Sequence, residues 1–108
     1  MLVTTTMNVE GYRITEYKGI VRGLIVRSPT LVQGFLGSVK NILGGQITAY
    51  NAMCEDARKE AYEIMIQHAA EMGANAIVGM RFDASEIMRR YSASEVLCYG
   101  TAVILSKE

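Results

Sequence analysis

The stretch Tyr50–Met80, YNAMCEDARKEAYEIMIQHAAEMGANAIVGM, decides the fold of this chain. Its first two-thirds has the spacing of a helix with one apolar face, and a short run rich in Ile and Val follows a glycine at Gly73. Successive helical residues advance by about 100°, so apolar residues that recur every three or four positions line one side. We therefore predict a long helix, a glycine stop and the start of a buried strand.

One side of the predicted helix is apolar. The residues on it are Tyr50, Met53, Cys54, Ala57, Ala61, Ile64, Met65, His68 and Met72. Charged residues occupy the opposite side, which is the pattern of a helix that lies on a sheet. Tyr62, Ile66 and Ala69 form a second apolar strip, which predicts contact with a further surface. Thr48 is the expected N-cap, and Gly73 is the expected stop because glycine adopts left-handed backbone angles without strain.

The rest of the chain reads mainly as extended segments. These are Leu2–Thr6, Tyr12–Val26, Ala76–Ala84 and Glu95–Leu105. Gly19 and Gly23 each predict a bulge or bend in the second of them, and the last segment is apolar on both faces, which predicts a central strand or an interface. Thr30–Gln46 predicts a short or irregular helix, or an apolar loop that orders on contact, and Ser85–Ser94 predicts a long, mobile hairpin connection. The predicted class is α+β, with two layers: one long helix on a mainly antiparallel sheet.

Length and composition limit the classes of protein to consider. With 108 residues, half of them hydrophobic, the chain is predicted to form one globular domain, residues 1–108. Eleven basic and eleven acidic residues balance, and no basic cluster stands out, so nucleic acid is not an expected partner. No apolar run reaches the roughly 20 residues of a membrane span. Two cysteines with unrelated spacing predict free thiols in a reducing cytoplasm.

Soft-metal sites need several converging thiol, imidazole or thioether groups, and the sequence does not predict such a set. Cys54 and His68 are fourteen residues apart on the same helix, which is roughly 21 Å along its axis. Cys98 could meet one of them but not both. We therefore predict no metal site within a subunit, no tight Zn²⁺ or Cu²⁺ binding through the cysteines, and a core role for both thiols. His68 is predicted to be a core or interface side chain.

One group of polar residues is a candidate interface site: Arg81, Asp83 and Glu95. Arg81 interrupts an apolar strand, so its charge needs a partner, either Glu95 on the neighbouring strand or a carboxylate of another subunit. The plainer explanation is a solvated loop with salt bridges. No Ser-His-Asp, Cys-His or paired-carboxylate arrangement is visible, so we predict no catalytic residues, no cofactor and no enzymatic activity.

Two C-terminal motifs, Gly73–Asp83 (GANAIVGMRFD) and Glu95–Val103 (EVLCYGTAV), resemble the YbjQ-like family of small bacterial and archaeal proteins. The glycine pair before Tyr50 and the Ala57–Ala61 stretch are also similar to that family. The resemblance implies a dodecin-like subunit and a homo-oligomeric ring, most often a pentamer. It also brings a heavy-metal-binding label, which carries no residue-level site onto this chain.

The chain departs from the family pattern in three places. Gln46 replaces a common glutamate, Cys98 replaces a common alanine, and the 28–40 stretch lacks the usual acidic residue. Two of these changes remove carboxylates and so weaken an oxygen-ligand metal site. We therefore expect a non-enzymatic, ring-forming binding or scaffold protein. The alternatives are a heavy-metal-binding protein and an enzyme or small-molecule binder whose site forms between subunits.

Overall fold

One long helix lies across one face of a four-stranded sheet in the computed structural model, which describes residues 1–27, 46–87 and 93–108. The elements are β1 (Leu2–Val3), β2 (Tyr12–Arg27), α1 (Gln46–Glu71), β3 (Ala76–Ile87) and β4 (Ala93–Lys107). The strands lie in the order β1-β3-β4-β2. β1 runs parallel to β3, and the other pairs are antiparallel. The α+β class, the mainly antiparallel sheet and the central place of the last strand are confirmed.

Helix α1 begins earlier than predicted and ends where predicted. It starts at Gln46, so Thr48 lies inside the helix and is not its N-cap. At the other end Gly73 has a φ of 80°. Ala74 N donates to Ala69 O at 3.1 Å and Gly73 N donates to Ala70 O at 3.0 Å. These two hydrogen bonds form a Schellman motif, which satisfies carbonyls that the helix end would otherwise leave without partners.

The buried face of α1 is rotated from the predicted one. Its members recur every four residues: Met53, Ala57, Ala61, Met65 and Ala69. Ile64 and His68 were predicted on this face but are exposed. Ala69 belongs to the core, and Tyr62 and Ile66 pack against it from the side. The core stripe follows the i, i+4 row, the row along which helix ridges pack, and it includes Ala69, which was predicted in the second strip. Tyr62 and Ile66 do lie on its flank, and their contact with a further surface stays a prediction.

A close approach between helix and sheet occurs at Gly23. A Cβ atom placed on Gly23 would lie 1.8 Å from the carbonyl oxygen of Ala61. The predicted bulge at Gly23 is thus wrong, because strand pairing there is continuous and the glycine makes room for the helix. Gly19 does lie at a register shift between β2 and β4, and its φ of 125° fits the bulge predicted there.

The strands of the β3–β4 hairpin extend further than predicted, and the connection between them is correspondingly shorter. Glu86 pairs with Ser94 and Ile87 pairs with Ala93, so both ends of Ser85–Ser94 are strand. Residues 88–92 lie outside the described part of the chain. The predicted irregular segment Thr30–Gln46 also lies outside it, apart from Gln46, which is the first residue of α1.

The N-terminal segment covers one end of the sheet on the face opposite the helix. After β1 it continues along the edge of β3, where Thr4 N donates to Ile77 O at 3.0 Å and Gly79 N donates to Thr6 O at 2.9 Å. A second apolar cluster forms beneath this segment. Its members are Ala76, Val78 and Val103, packed by Val9, Ile14 and Leu105. The side chain of Asn75 pairs with both backbone groups of Leu105, at 3.0 and 2.8 Å, and closes the same end.

Candidate interface site on the outer face of the sheet

Residues that pair across strands lie side by side on the same face of a sheet, and neighbours along a strand alternate between faces. Val21, Gly23 and Cys98 face the helix, so the residues between them point away from it. We call this second side the outer face. Three successive rows cross it: Arg22–Tyr99–Arg81, Leu24–Leu97–Asp83 and Val26–Glu95–Ser85.

Large apolar side chains lie on the outer face, and all but the half-buried Leu97 are exposed. We call them the outer-face patch: Tyr17, Ile20, Leu24 and Val26 of β2, with Leu97 and Tyr99 of β4. Ile20 is 76% exposed and Tyr17 is 69% exposed. Contiguous apolar surface of this kind on a soluble protein usually marks a site of interaction, because water contact with it is unfavourable.

The three polar residues predicted as an interface site all lie on this outer face. Arg81 and Asp83 occupy neighbouring rows, and Glu95 occupies the row after them. The expected Arg81–Glu95 pair within a subunit is absent among the described residues. Instead the Arg81 guanidinium Nη1 donates to Thr5 O and to Met80 O, both at 2.8 Å. Arg81 therefore holds the N-terminal segment at the point where that segment leaves the edge of β3.

Sequence reasoning missed Arg22, which stands opposite Arg81 with Tyr99 between them. The signal was available, because Arg22 interrupts the apolar residues Ile20 and Leu24 on one face of β2 as Arg81 interrupts β3. The outer face thus carries cations at Arg22 and Arg81 and, nearer the Asp83 and Glu95 rows, anions. Charges of both signs beside an apolar centre are typical of a protein–protein interface rather than of a catalytic cleft.

The cysteines occupy two different environments. Cys98 is fully buried under the helix, and its Sγ lies 3.6 Å from Met65 Sδ. Burial raises the pKa of the Cys98 thiol to about 11. At neutral pH this thiol is protonated, and the protonated form is a poor nucleophile and a poor metal ligand. The predicted core role is confirmed for Cys98, whereas Cys54 is only half-buried and lies outside the core cluster.

The donor groups of the described residues do not fit a soft-metal site within one subunit. Across residues 1–27, 46–87 and 93–108, no three His, Cys, Asp or Glu residues come close enough to hold an ion together. His68 is exposed on α1, and Cys98 has only the Met65 thioether beside it. A structural metal site ordinarily needs four ligands and a catalytic one three.

Comparison with known proteins adds a family and a fold. The profile of a family described as "Putative heavy-metal-binding" matches residues 1–106. A UPF0145 protein of Legionella pneumophila strain Corby is 53% identical over 105 residues, which span 97% of this chain and 98% of the relative. A UPF0145 protein of Francisella tularensis subsp. tularensis strain WY96-3418 is 50% identical over 105 residues, spanning 97% and 99%.

A solved structure shares the fold. It is the crystal structure of a protein of unknown function of the DUF74 family from Pediococcus pentosaceus, with a TM-score of 0.64 and 15% sequence identity over 98% of each chain. Within the parts of the chain that the structure describes, no helix combines the length and the apolar character needed to cross a membrane.

Proposed function

This chain belongs to the YbjQ family, which is described as "Putative heavy-metal-binding", and on that premise we propose that it is a non-enzymatic binding protein that works as a homo-oligomer. The observation that carries this proposal is the outer-face patch. A single sheet with a helix on one side leaves its other side without a second layer, and a copy of the same chain can supply that layer.

The charges around the patch support a copy of the same chain as the partner. Arg22 and Arg81 lie on the outer face together with Asp83 and Glu95, and the chain as a whole is neutral. A surface with both signs of charge can pair with itself or with another part of the same molecule. The assembled form that the family resemblance suggests is a ring, and we propose a pentamer.

The shape of the subunit also supports assembly. Its radius of gyration is 17.4 Å, whereas a compact domain of this length has a value of roughly 13 Å. Its longest dimension is 56 Å against 26 and 20 Å for the other two. An elongated subunit leaves more apolar surface in water than a compact one, and contact with other copies removes that surface from water. Because both cysteines are free thiols, we propose the cytoplasm as the location.

A heavy metal is the second candidate, and the family description favours it. Since one subunit does not bring enough donors together among its described residues, a metal site that uses them needs ligands from more than one subunit. Cys54 is the accessible thiol of the pair, because Cys98 is buried and protonated. Metal binding of this kind would be coupled to assembly.

Light scattering after size exclusion tests the assembly. We expect wild-type protein to elute as an oligomer and Leu24→Lys to shift it toward the monomer, because the new charge lies in the outer-face patch. The matched control is Ile64→Lys, since Ile64 is 40% exposed on the helix and Leu24 is 47% exposed on the sheet. Urea midpoints near the wild-type value would show that both variants fold. A monomeric wild-type protein would refute the proposal.

Isothermal titration and thermal shift with Zn²⁺ and Cd²⁺ test the second candidate on reduced protein. If a metal is the ligand, we expect tight binding by the oligomer, loss of binding in Cys54→Ser and retention in Cys98→Ser. A result in which neither ion binds tightly or raises the melting temperature removes heavy metal as the ligand. In that case the homo-oligomeric binding protein stands with a different ligand.

A further inference from the structure

The sheet has two open edges among the described residues. Within residues 1–27, 46–87 and 93–108, β2 pairs only with β4, and no described strand pairs with the other side of its backbone. β3 is flanked by the N-terminal segment only as far as Met80, whose N donates to Thr4 O at 3.0 Å. Beyond that point β4 is the one described strand that pairs with Arg81–Ile87. Open edges invite pairing with another strand because their backbone donors and acceptors lack partners in the protein.

The two open edges match in position and length. Register shifts interrupt β2 near Ile14 and again before Gly19, so its regular part is Ile20–Arg27. β3 is regular from Arg81 to Ile87, after the shift that follows Val78. Both regular parts pair with the same portion of β4, from Ala93 or Ser94 to Tyr99 or Thr101. They therefore lie at the same level of the sheet, on opposite sides of it.

The two edges also differ in charge. The β2 edge carries Arg22, which has no ion-pair partner among the described residues, and Arg27, which is already paired with Glu60 of α1. On the β3 edge Asp83 is exposed, and the cation beside it, Arg81, is already bound to backbone carbonyls. The β2 edge thus offers the cation Arg22, and the β3 edge offers the anion Asp83. Opposite charges on neighbouring strands favour their pairing, and like charges oppose it. The β2 edge therefore fits the β3 edge better than either edge fits itself.

We propose that a second copy of this chain pairs its β3 edge, Arg81–Ile87, with the β2 edge, Ile20–Arg27, through backbone hydrogen bonds. This inference rests on the homo-oligomer proposed above and adds a strand–strand contact to the contact through the outer-face patch. β2 and β3 are both antiparallel to β4, so they run parallel to each other, and rotation about an axis along the strands makes the new pair parallel. The two surfaces differ, so the contact is heterologous, and a ring closes when the rotation allows it.

Amide hydrogen exchange as a function of protein concentration tests the backbone pairing. In the dilute monomer, the outward N–H groups of Ile20–Arg27 and Arg81–Ser85 exchange fast. In the assembled protein we expect every second amide of both stretches to slow by at least about tenfold. The matched control is the outward amides of Arg13–Tyr17 on the same edge strand, where register shifts interrupt the regular part and exchange should not change with protein concentration. Contact through the outer face alone would not give protection that alternates along an edge.

Reversal of charges on the two edges is a second test of the proposed pairing. We expect Arg22→Asp and Asp83→Arg each to weaken assembly by about fivefold and the double variant to recover most of that loss. Arg13→Asp, on the irregular part of β2, is the matched control and should change assembly little.

The possible outcomes distinguish failure of the edge pairing from failure of the homo-oligomer. An oligomer whose edge amides exchange as fast as in the monomer would overturn the edge pairing and leave the homo-oligomer in place. Protection already present in the dilute monomer would mean that the edge is covered within the subunit, which also overturns the pairing. A wild-type chain that stays monomeric at high concentration would remove both proposals.

Discussion

Replacement of Gly23 by alanine is the sharpest test of how the helix sits on the sheet. The added Cβ would lie 1.8 Å from Ala61 O and 2.8 Å from Met65 N, and both are backbone atoms of α1. Real Cβ atoms essentially never come closer than 3.0 Å to such a neighbour. Because backbone atoms cannot rotate away as a side chain can, α1 must retreat from β2 by about 1.2 Å, the difference between 3.0 and 1.8 Å.

The expected loss of stability follows from that retreat. A gap of about 0.5–1 Å already removes a quarter to a half of the dispersion attraction between facing atoms. The contacts affected include the buried residues Ala57, Ala61 and Met65 above Val21 and Cys98. Overpacking of a core typically costs about 1–3 kcal/mol, and a backbone obstacle belongs at the upper end of that range. We expect Gly23→Ala to lower the free energy of unfolding by about 3 kcal/mol, from a total of roughly 5–15 kcal/mol.

Urea denaturation followed by circular dichroism, at a fixed protein concentration, measures this loss. The control is Gly73→Ala, where the added Cβ meets nothing within 4 Å and only the backbone torsion is strained. Gly23 is not among the described glycines with positive φ, so its replacement isolates the steric effect. A loss below about 0.5 kcal/mol at Gly23, which is the scatter of neutral surface substitutions, would refute the close approach of α1 to β2.

Three further outcomes are expected. Gly73→Ala should lower the free energy of unfolding by about 1 kcal/mol, because its φ of 80° is strained for alanine. An unchanged urea midpoint would show that the Schellman motif does not stabilise the helix end. Ala61→Leu should destabilise by about 1–3 kcal/mol, since Ala61 is fully buried, and an unchanged midpoint would contradict that burial. Burial raises the pKa of Cys98 from 9.0 to about 11, so its contribution to stability is complete below pH 9 and is lost as the pH rises through 11. Cys98→Ala should reduce the fall in the free energy of unfolding between pH 9 and 11. Equal pH profiles for the variant and the wild type would contradict this role of Cys98.

The sequence predicted the elements better than their relative placement. The helix stop at Gly73 and the extent of β2 followed from local chemistry, because glycine preference and apolar runs act over a few residues. The rotation of the buried face did not follow, since it depends on where Ala61 meets Gly23 across the helix–sheet contact. A helical wheel centres the face on the largest apolar residues. Here small residues, Ala57 and Ala61, lie closest to the sheet and let the backbones meet.

The candidate site was predicted as a set of residues but not as a geometry. Arg81, Asp83 and Glu95 were chosen because charges interrupt apolar strands, and all three do lie on one face. Their rows are set by cross-strand register, and the extra residue between Val78 and Arg81 shifts that register in a way that parity counting along one strand cannot detect. The carbonyl partner Thr5 lies 76 positions away in the chain, beyond the reach of local pattern reasoning.

The pairing of β2 with β4 constrains how the chain is made. Tyr12 pairs with Lys107, and Glu108 N donates to Gly11 O at 3.0 Å, so residues near position 108 complete the register of a strand that begins at Tyr12. β1 likewise pairs with a strand, β3, that is synthesised much later. On the ribosome the apolar residues of β2 therefore emerge long before their partner strand exists. Such long-range pairing slows folding and exposes aggregation-prone edges, so this chain should depend on holdase chaperones during translation more than a helical bundle of equal length does.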